Sequence, residues 1–168
     1  MVVLGIDPGY AIVGFGGIEF YNNKYHTLGY GAIITSSDLT FDERLKKIFD
    51  EMNVVIDKCK PDVMAIEKLY FQNNQKTAID VAQARGVILL SAKLKSVPVF
   101  EYTPLQVKTA VTGYGQAKKE QVMEMTKRLL KLKQMPKYDD TADALAIAIC
   151  HTQANGSPLR EFLSRNGV

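Results

Sequence analysis

The sequence predicts one mixed α/β domain that opens with three antiparallel strands. Three observations carry this. A short apolar run at the N-terminus is followed at once by two β-rich segments joined by a polar turn. Further short apolar runs then alternate with segments of helical periodicity, the pattern of strands alternating with helices. Finally, 168 residues that are 46% hydrophobic and 23% charged are ordinary values for one globular domain. A chain of this length buries roughly 68–70% of its unfolded surface, enough for a core without metal or disulfide staples.

Met1–Ile6 is a short apolar run fit for a buried strand, and Asp7-Pro8-Gly9 stops it with turn residues. Ile12–Phe20 and Tyr25–Ile34 form a hairpin across Tyr21-Asn22-Asn23-Lys24. Phe41–Cys59 is the clearest helix, because Phe41, Leu45, Ile48, Phe49, Met52, Val55, Ile56 and Cys59 share one stripe. Thr40 and Glu43 have the spacing of a capping box, and Pro61 ends the element. Val63–Ile66 is a second buried strand that runs straight into Glu67. Asn74–Lys95 is a helix, Pro98–Tyr102 a short strand and Pro104–Ala110 a short helix before the loop Thr112-Gly113-Tyr114-Gly115. Ala117–Leu132 is a helix with Val122, Met125, Leu129 and Leu132 inward, broken by Pro136. Asp139 or Asp140 opens a last helix through His151. With the short helix set aside, the order is β-β-β-α-β-α-β-α-α. The folded unit spans residues 1–154, and 155–168, with Gly156, Ser157 and Pro158, is a loosely held tail.

Several function classes are excluded or weakened by composition. The longest apolar stretch, Ala144–Cys150, is far shorter than the ~18 residues of a membrane span. No basic region precedes the first apolar segment, so a secretory signal is not expected. Cys59 and Cys150 make no disulfide framework and read as small buried apolar residues in a reducing compartment, which places the chain in the cytoplasm. His26 and His151 are too few for a histidine-rich metal site, and His151, ending an apolar helix, reads as structural. Any metal is then held by oxygen, which points to magnesium or manganese.

Charge is concentrated. Thr103–Lys137 contains Lys108, Lys118, Lys119, Lys127, Arg128, Lys131, Lys133 and Lys137 against only Glu120 and Glu124, a net +6 in a chain whose total is +3. A basic third in a mildly acidic body suits a polyanion-binding face, and a solvated helix surface explains the charge equally well. For Lys127 and Lys133 the solvated surface is the better reading.

Two acids end buried strands, Asp7 and Glu67. Strand ends are where open α/β sheets place ligands. Turn formation accounts for Asp7 beside Pro8 and Gly9, but it suits Glu67 much less. Asp140 and Asp143 stand three apart on a helix, hence on one face, and Asp139 and Asp143, four apart, share a face too. Capping and the helix dipole account for Asp139, yet not for Asp143 among Ala142, Ala144, Leu145 and Ala146. Carboxylates brought together without histidine or cysteine are the ligand set for Mg²⁺ acting on phosphates.

GIDPGYAIVGFG at Gly5–Gly16, AIEKLYF at Ala65–Phe71, QARGV at Gln83–Val87 and DDTADALAIAI at Asp139–Ile149 closely resemble the RuvC family, Holliday-junction resolving endonucleases of the ribonuclease H-like fold. The likeness keeps the family's order and runs from Met1 to about Thr152. It implies a ribonuclease H-like mixed sheet, three antiparallel strands followed by parallel ones, flanked by helices. The family's catalytic and metal-binding carboxylates fall on Asp7, Glu67, Asp140 and Asp143, with Asp140 preferred over Asp139 by the pattern Asp-x-x-Asp-Ala-Leu-Ala. The resemblance implies two Mg²⁺ ions per site, replaceable by Mn²⁺. In that scheme Asp7 is the central ligand, Glu67 and Asp140 hold one ion each, and Asp143 completes the set or orients water. The implied product is a nick with 5′-phosphate and 3′-hydroxyl. Lys108 and Lys119 match positions that approach the DNA backbone, and Lys118 is a neighbouring substitute. Tyr70 and Phe71 both stand where the family places one aromatic that stacks on unpaired bases. The partners implied are a four-way DNA junction, a second copy of the chain and, in a cell, the RuvA–RuvB branch-migration complex.

A homodimer also follows from the residues. The Asn74–Lys95 helix carries one stripe of Ala78, Val81, Ala82 and Leu89 and another of Ile79, Gly86 and Leu90, extended by Ala84, Val87 and Ile88. A helix apolar on several sides is buried on several sides. Three rival readings stand beside this one: a shorter YqgF-type nuclease of the same fold, one phosphate-binding half of an actin-like kinase, and a non-catalytic junction-binding module. The basic segment and QARGV disfavour the first, the single half the second, and four retained carboxylates the third.

Overall fold

The computed structural model describes residues 1–69 and 75–155. Five strands and five helices follow the order β1 (Val2–Asp7), β2 (Ile12–Tyr21), β3 (Lys24–Ile34), α1 (Phe41–Cys59), β4 (Val63–Glu67), α2 (Gln75–Leu94), β5 (Val99–Tyr102), α3 (Pro104–Thr112), α4 (Lys119–Leu130) and α5 (Asp139–Asn155). They build one sheet in the order β3-β2-β1-β4-β5. β1–β2 and β2–β3 are antiparallel, whereas β1–β4 and β4–β5 are parallel. This is the mixed sheet expected from the sequence.

Local chemistry explains the element ends. Asn22 and Asn23 both adopt positive φ, 49° and 56°, so the hairpin closes with a two-residue turn between paired Tyr21 and Lys24. The backbone N–H of Thr40 donates to Glu43 Oε2 at 2.8 Å, half of the anticipated capping box. α3 is longer than expected, nine residues ending at Thr112. A complete box, Gln106 N to Thr103 Oγ1 at 3.1 Å and Thr103 N to Gln106 Oε1 at 2.8 Å, starts it with Pro104 in the first turn.

The last two helices differ from expectation. α4 is shorter, Lys119–Leu130, and Lys131 leaves it in the left-handed conformation. Its buried line is Val122, Thr126 and Leu130, while Met125, Leu129 and Leu132 are only partly buried. A strict i, i+4, i+8 line places Thr126 inward, and choosing only apolar residues hid that line. α5 continues past His151 to Asn155. Cys150 is buried as expected but Cys59 is only partly so, and both thiols are free. Burial pushes the Cys59 thiol up and the Cys150 thiol up to about 12.

Each face of the sheet carries its own core. Leu4, Ile6, Val13, Ile33, Met64 and Ile66 pack with α1 and α2. Val3, Ile18 and Ala65 pack with α3, α4 and α5. Strand side chains alternate, so Asp7 shares the face of Val3 and Gly5, and Glu67 that of Ala65. Both acids therefore stand on the α5 side.

α5 lies unusually close to that face. A Cβ added to Gly5 would sit 2.0 Å from the Ala144 carbonyl oxygen, and one added to Gly14 would sit 2.0 Å from the Asp140 oxygen. At Gly16 it would meet the Leu145 side chain at 2.6 Å. Gly5→Ala should therefore lower the unfolding free energy by about 3 kcal/mol, the upper end for overpacking. Urea unfolding measures it, and an unchanged midpoint would mean that the helix can retreat without loss.

Candidate active site

Pairing of Ile6 with Ile66 sets Asp7 and Glu67 side by side at the C-terminal ends of adjacent parallel strands. α5 begins over this edge, with Asp139, Asp140 and Asp143 in its first turns. The Gly14 contact holds the Asp140 backbone against β2, which fixes where these acids start.

The group is electrostatically strained. Burial, then the charges of Glu67 and Asp143, a hydrogen bond with Glu67 and the charge of Asp140 push Asp7 up to about 8. Burial raises Glu67 as well; Asp143 adds to the rise while the Asp7 hydrogen bond and Lys119 oppose it. Asp143 is raised by burial against the pull of Lys119. Lys119 Nζ lies 3.1 Å from Asp143 Oδ2 and 3.3 Å from Asp139 Oδ2. These two carboxylates hold the ammonium in its charged form against its own burial.

Glu67, Asp143, Lys108 and Lys119 line a groove of about 250 Å³ whose apolar walls include Val107 and Ile147. Two of the three lysines anticipated for the DNA backbone thus border the acids. Lys118 is exposed at the N-cap of α4 and does not line the groove. Tyr70 and Phe71 lie outside the described residues. His151 is buried, with Nδ1 2.8 Å from the Tyr102 hydroxyl, in keeping with a structural role.

Two residues were not assigned these places by the sequence. Arg85, on α2, pairs with Glu101 and donates from Nε to the Glu67 carbonyl oxygen at 3.5 Å. The QARGV segment was its visible signal. Asp139, expected to serve the helix terminus alone, also pairs with Lys119.

Asp7, Glu67, Asp140 and Asp143 form an all-oxygen donor set suited to a hard divalent cation. Among the described residues no three such side chains close into a ready cage. One of these carboxylates, Asp143, is paired with Lys119. The Asp7 carboxyl is raised first by burial and then by the neighbouring carboxylates.

Strand-end acids facing helix acids on this mixed sheet are the arrangement expected of the ribonuclease H-like fold. The family model for crossover junction endodeoxyribonuclease RuvC matches residues 3–151. A relative of that name from Brevibacillus brevis is 55% identical over 98% of this chain and 96% of its own. Another, from Halothermothrix orenii, is 57% identical over 90% and 92%. Thermus thermophilus RuvC, solved in complex with Holliday junction substrate, superposes with a TM-score of 0.86 at 33% identity, covering 94% of this chain and 97% of that one. The chain belongs to the RuvC family of crossover junction endodeoxyribonucleases.

The Asp7 shift has a consequence for stability. Without metal, Asp7 keeps its proton in the fold up to about pH 8, whereas unfolded it ionises near 3.8. The folded state binds the extra proton between those values, so stability falls as pH rises through that window, by at most about 1.4 kcal/mol per pH unit. Melting in EDTA should weaken steadily from pH 5 to 8, and Asp7→Asn should flatten the slope. Parallel slopes for both proteins would remove Asp7 as the source.

Proposed function

We propose that the chain resolves four-way DNA junctions by paired, metal-dependent nicks in opposed strands, leaving 5′-phosphate and 3′-hydroxyl ends. The observation that carries this is the meeting of Asp7 and Glu67 with the α5 acids beside Lys108 and Lys119. Acids and lysines gathered along one groove suit a phosphodiester whose negative charge grows during hydrolysis. Asp7, Glu67, Asp140 and Asp143 would hold Mg²⁺, two ions per site, with Mn²⁺ able to substitute. When bound, the metal supplies a water of lowered pKa and neutralises the leaving oxygen. Asp7 serves as the central donor. Lys108 and Lys119 hold the backbone phosphate, with Lys118 contacting DNA farther out and Tyr70 or Phe71 stacking on an unpaired base. The setting is recombination and repair in the cytoplasm, with a RuvA–RuvB branch-migration complex as partner in a cell.

Incubation with a synthetic four-way junction and Mg²⁺ should give nicks that a ligase seals, while linear duplex stays intact. Equal cutting of both would overturn the reading. Asp7→Asn, Glu67→Gln and Asp140→Asn should each lower cleavage by at least about a hundredfold while junction binding persists in a mobility-shift assay. Asp139→Asn should keep cutting at saturating Mg²⁺. The opposite pattern at 139 and 140 would reassign the site.

The working unit is a homodimer through α2. Ala84, Ile88 and Ala92 face the sheet core, while Ile79 and Leu90 on the outward side are 65% and 52% exposed. A Cβ at Gly86 would meet nothing within 4 Å, so this side has room for a close helix partner. A four-way junction has near two-fold symmetry, and a C₂ pair matches it. Sedimentation should show about twice 18.7 kDa. Leu90→Glu should give monomers that fold but no longer nick in pairs. A dimer undisturbed by both Ile79→Glu and Leu90→Glu would place the interface elsewhere.

A further inference from the structure

The ammonium of Lys119 touches two carboxylates of α5 at once, Asp143 at 3.1 Å and Asp139 at 3.3 Å. These two are not equivalent. Asp143 belongs to the proposed donor set and its side chain is 32% exposed, while Asp139 stands at the outer rim, 63% exposed. A divalent cation at Asp143 would compete with the lysine for the negative charge of that carboxylate. Dication and ammonium repel, so they do not share one carboxylate comfortably. Lys119 begins α4 and its side chain is 49% exposed, which leaves it room to shift outward.

We propose that Asp139 is a positioning residue that keeps the Lys119 ammonium when a divalent cation claims Asp143. The inference rests on the metal reading given above. With Asp139 present, cation entry breaks one of two ion pairs and leaves the lysine charged, anchored and beside the groove that would take the phosphate. In the intact chain the ammonium is shared between two carboxylates, so the Asp143 pair that the cation must break is the weaker for it; without Asp139 the ammonium rests on Asp143 alone and an undivided pair is lost. Asp139 then governs how readily the site loads, although it is not itself a ligand.

The test is Mn²⁺ binding to the DNA-free full chain, followed by the loss of the free-ion signal in electron paramagnetic resonance. Asp139→Asn should weaken Mn²⁺ binding by about threefold, the fold-change of an exposed ion pair. Asp139→Glu should restore it. Lys119→Met should tighten binding, because the competing ammonium is gone. In the Lys119→Met background, Asp139→Asn should have no further effect.

A distant negative charge would behave differently, weakening Mn²⁺ binding equally in both backgrounds. That result overturns the proposal, as does an unchanged affinity in Asp139→Asn alone or no tightening in Lys119→Met. Asp7→Asn separates this from the underlying reading. Undiminished Mn²⁺ binding in that variant sinks the metal site itself, whereas its loss leaves the Asp139 result to be judged alone. Far-UV circular dichroism confirms that each variant is folded, and Asp139→Ser repeats the comparison with a second side chain.

Discussion

The closeness of α5 to the sheet sets everything at the functional end of the molecule. Side chains hold stacked sheets about 10 Å apart, yet here a helix backbone reaches the strands at Gly5 and Gly14. Nothing larger than hydrogen fits at either position. Ala142, Ala144, Ala146 and Ala148 are all buried, the small residues that such an approach requires of the helix. Because the N-terminal turns of α5 are pinned this way, Asp140 and Asp143 arrive at the ends of β1 and β4 rather than in solvent.

That packing gathers more negative charge than the surroundings solvate. Asp7 meets the shortage by holding a proton far above its ordinary range, and Asp143 meets it by pairing with Lys119. Two of the site's lysines, Lys108 and Lys119, border the same groove as Glu67 and Asp143. Arg85 ties α2 to the backbone of Glu67 and to Glu101, so the helix with the exposed apolar side is also mechanically joined to the site.

The two helices with the weakest amphipathic pattern prove to be the most informative. α5 is apolar on many sides because it is enclosed by the sheet, α3 and α4. α2 sets Ala84, Ile88 and Ala92 against the core and leaves Ile79, Leu90 and Leu94 exposed. Similar patterns in sequence therefore have opposite meanings, burial within one chain and an unpartnered face on its surface.

Much of this was legible in the residues. Strand runs stopped by Asp7 and Glu67, the stripe of α1 and the punctuation by Gly and Pro placed nearly every element within a few positions, because those signals are local. The motifs also carried the order of the acids. Other features needed the folded chain. Periodicity left Asp139 and Asp140 equivalent and the family pattern preferred Asp140; the packing of α5 on Gly14 adds which residue's backbone lies on β2 and which reaches out to Lys119. Lys108, Lys118 and Lys119 looked alike as charges, but the groove takes two of them. Val122, Thr126 and Leu130 form the inner line of α4 because the helix is placed by its neighbours, whatever the polarity of Thr126. Sequence determined the elements and the candidate chemistry, since both depend on neighbours along the chain. Tertiary structure decided which charges meet, since that depends on how closely one helix can approach a sheet.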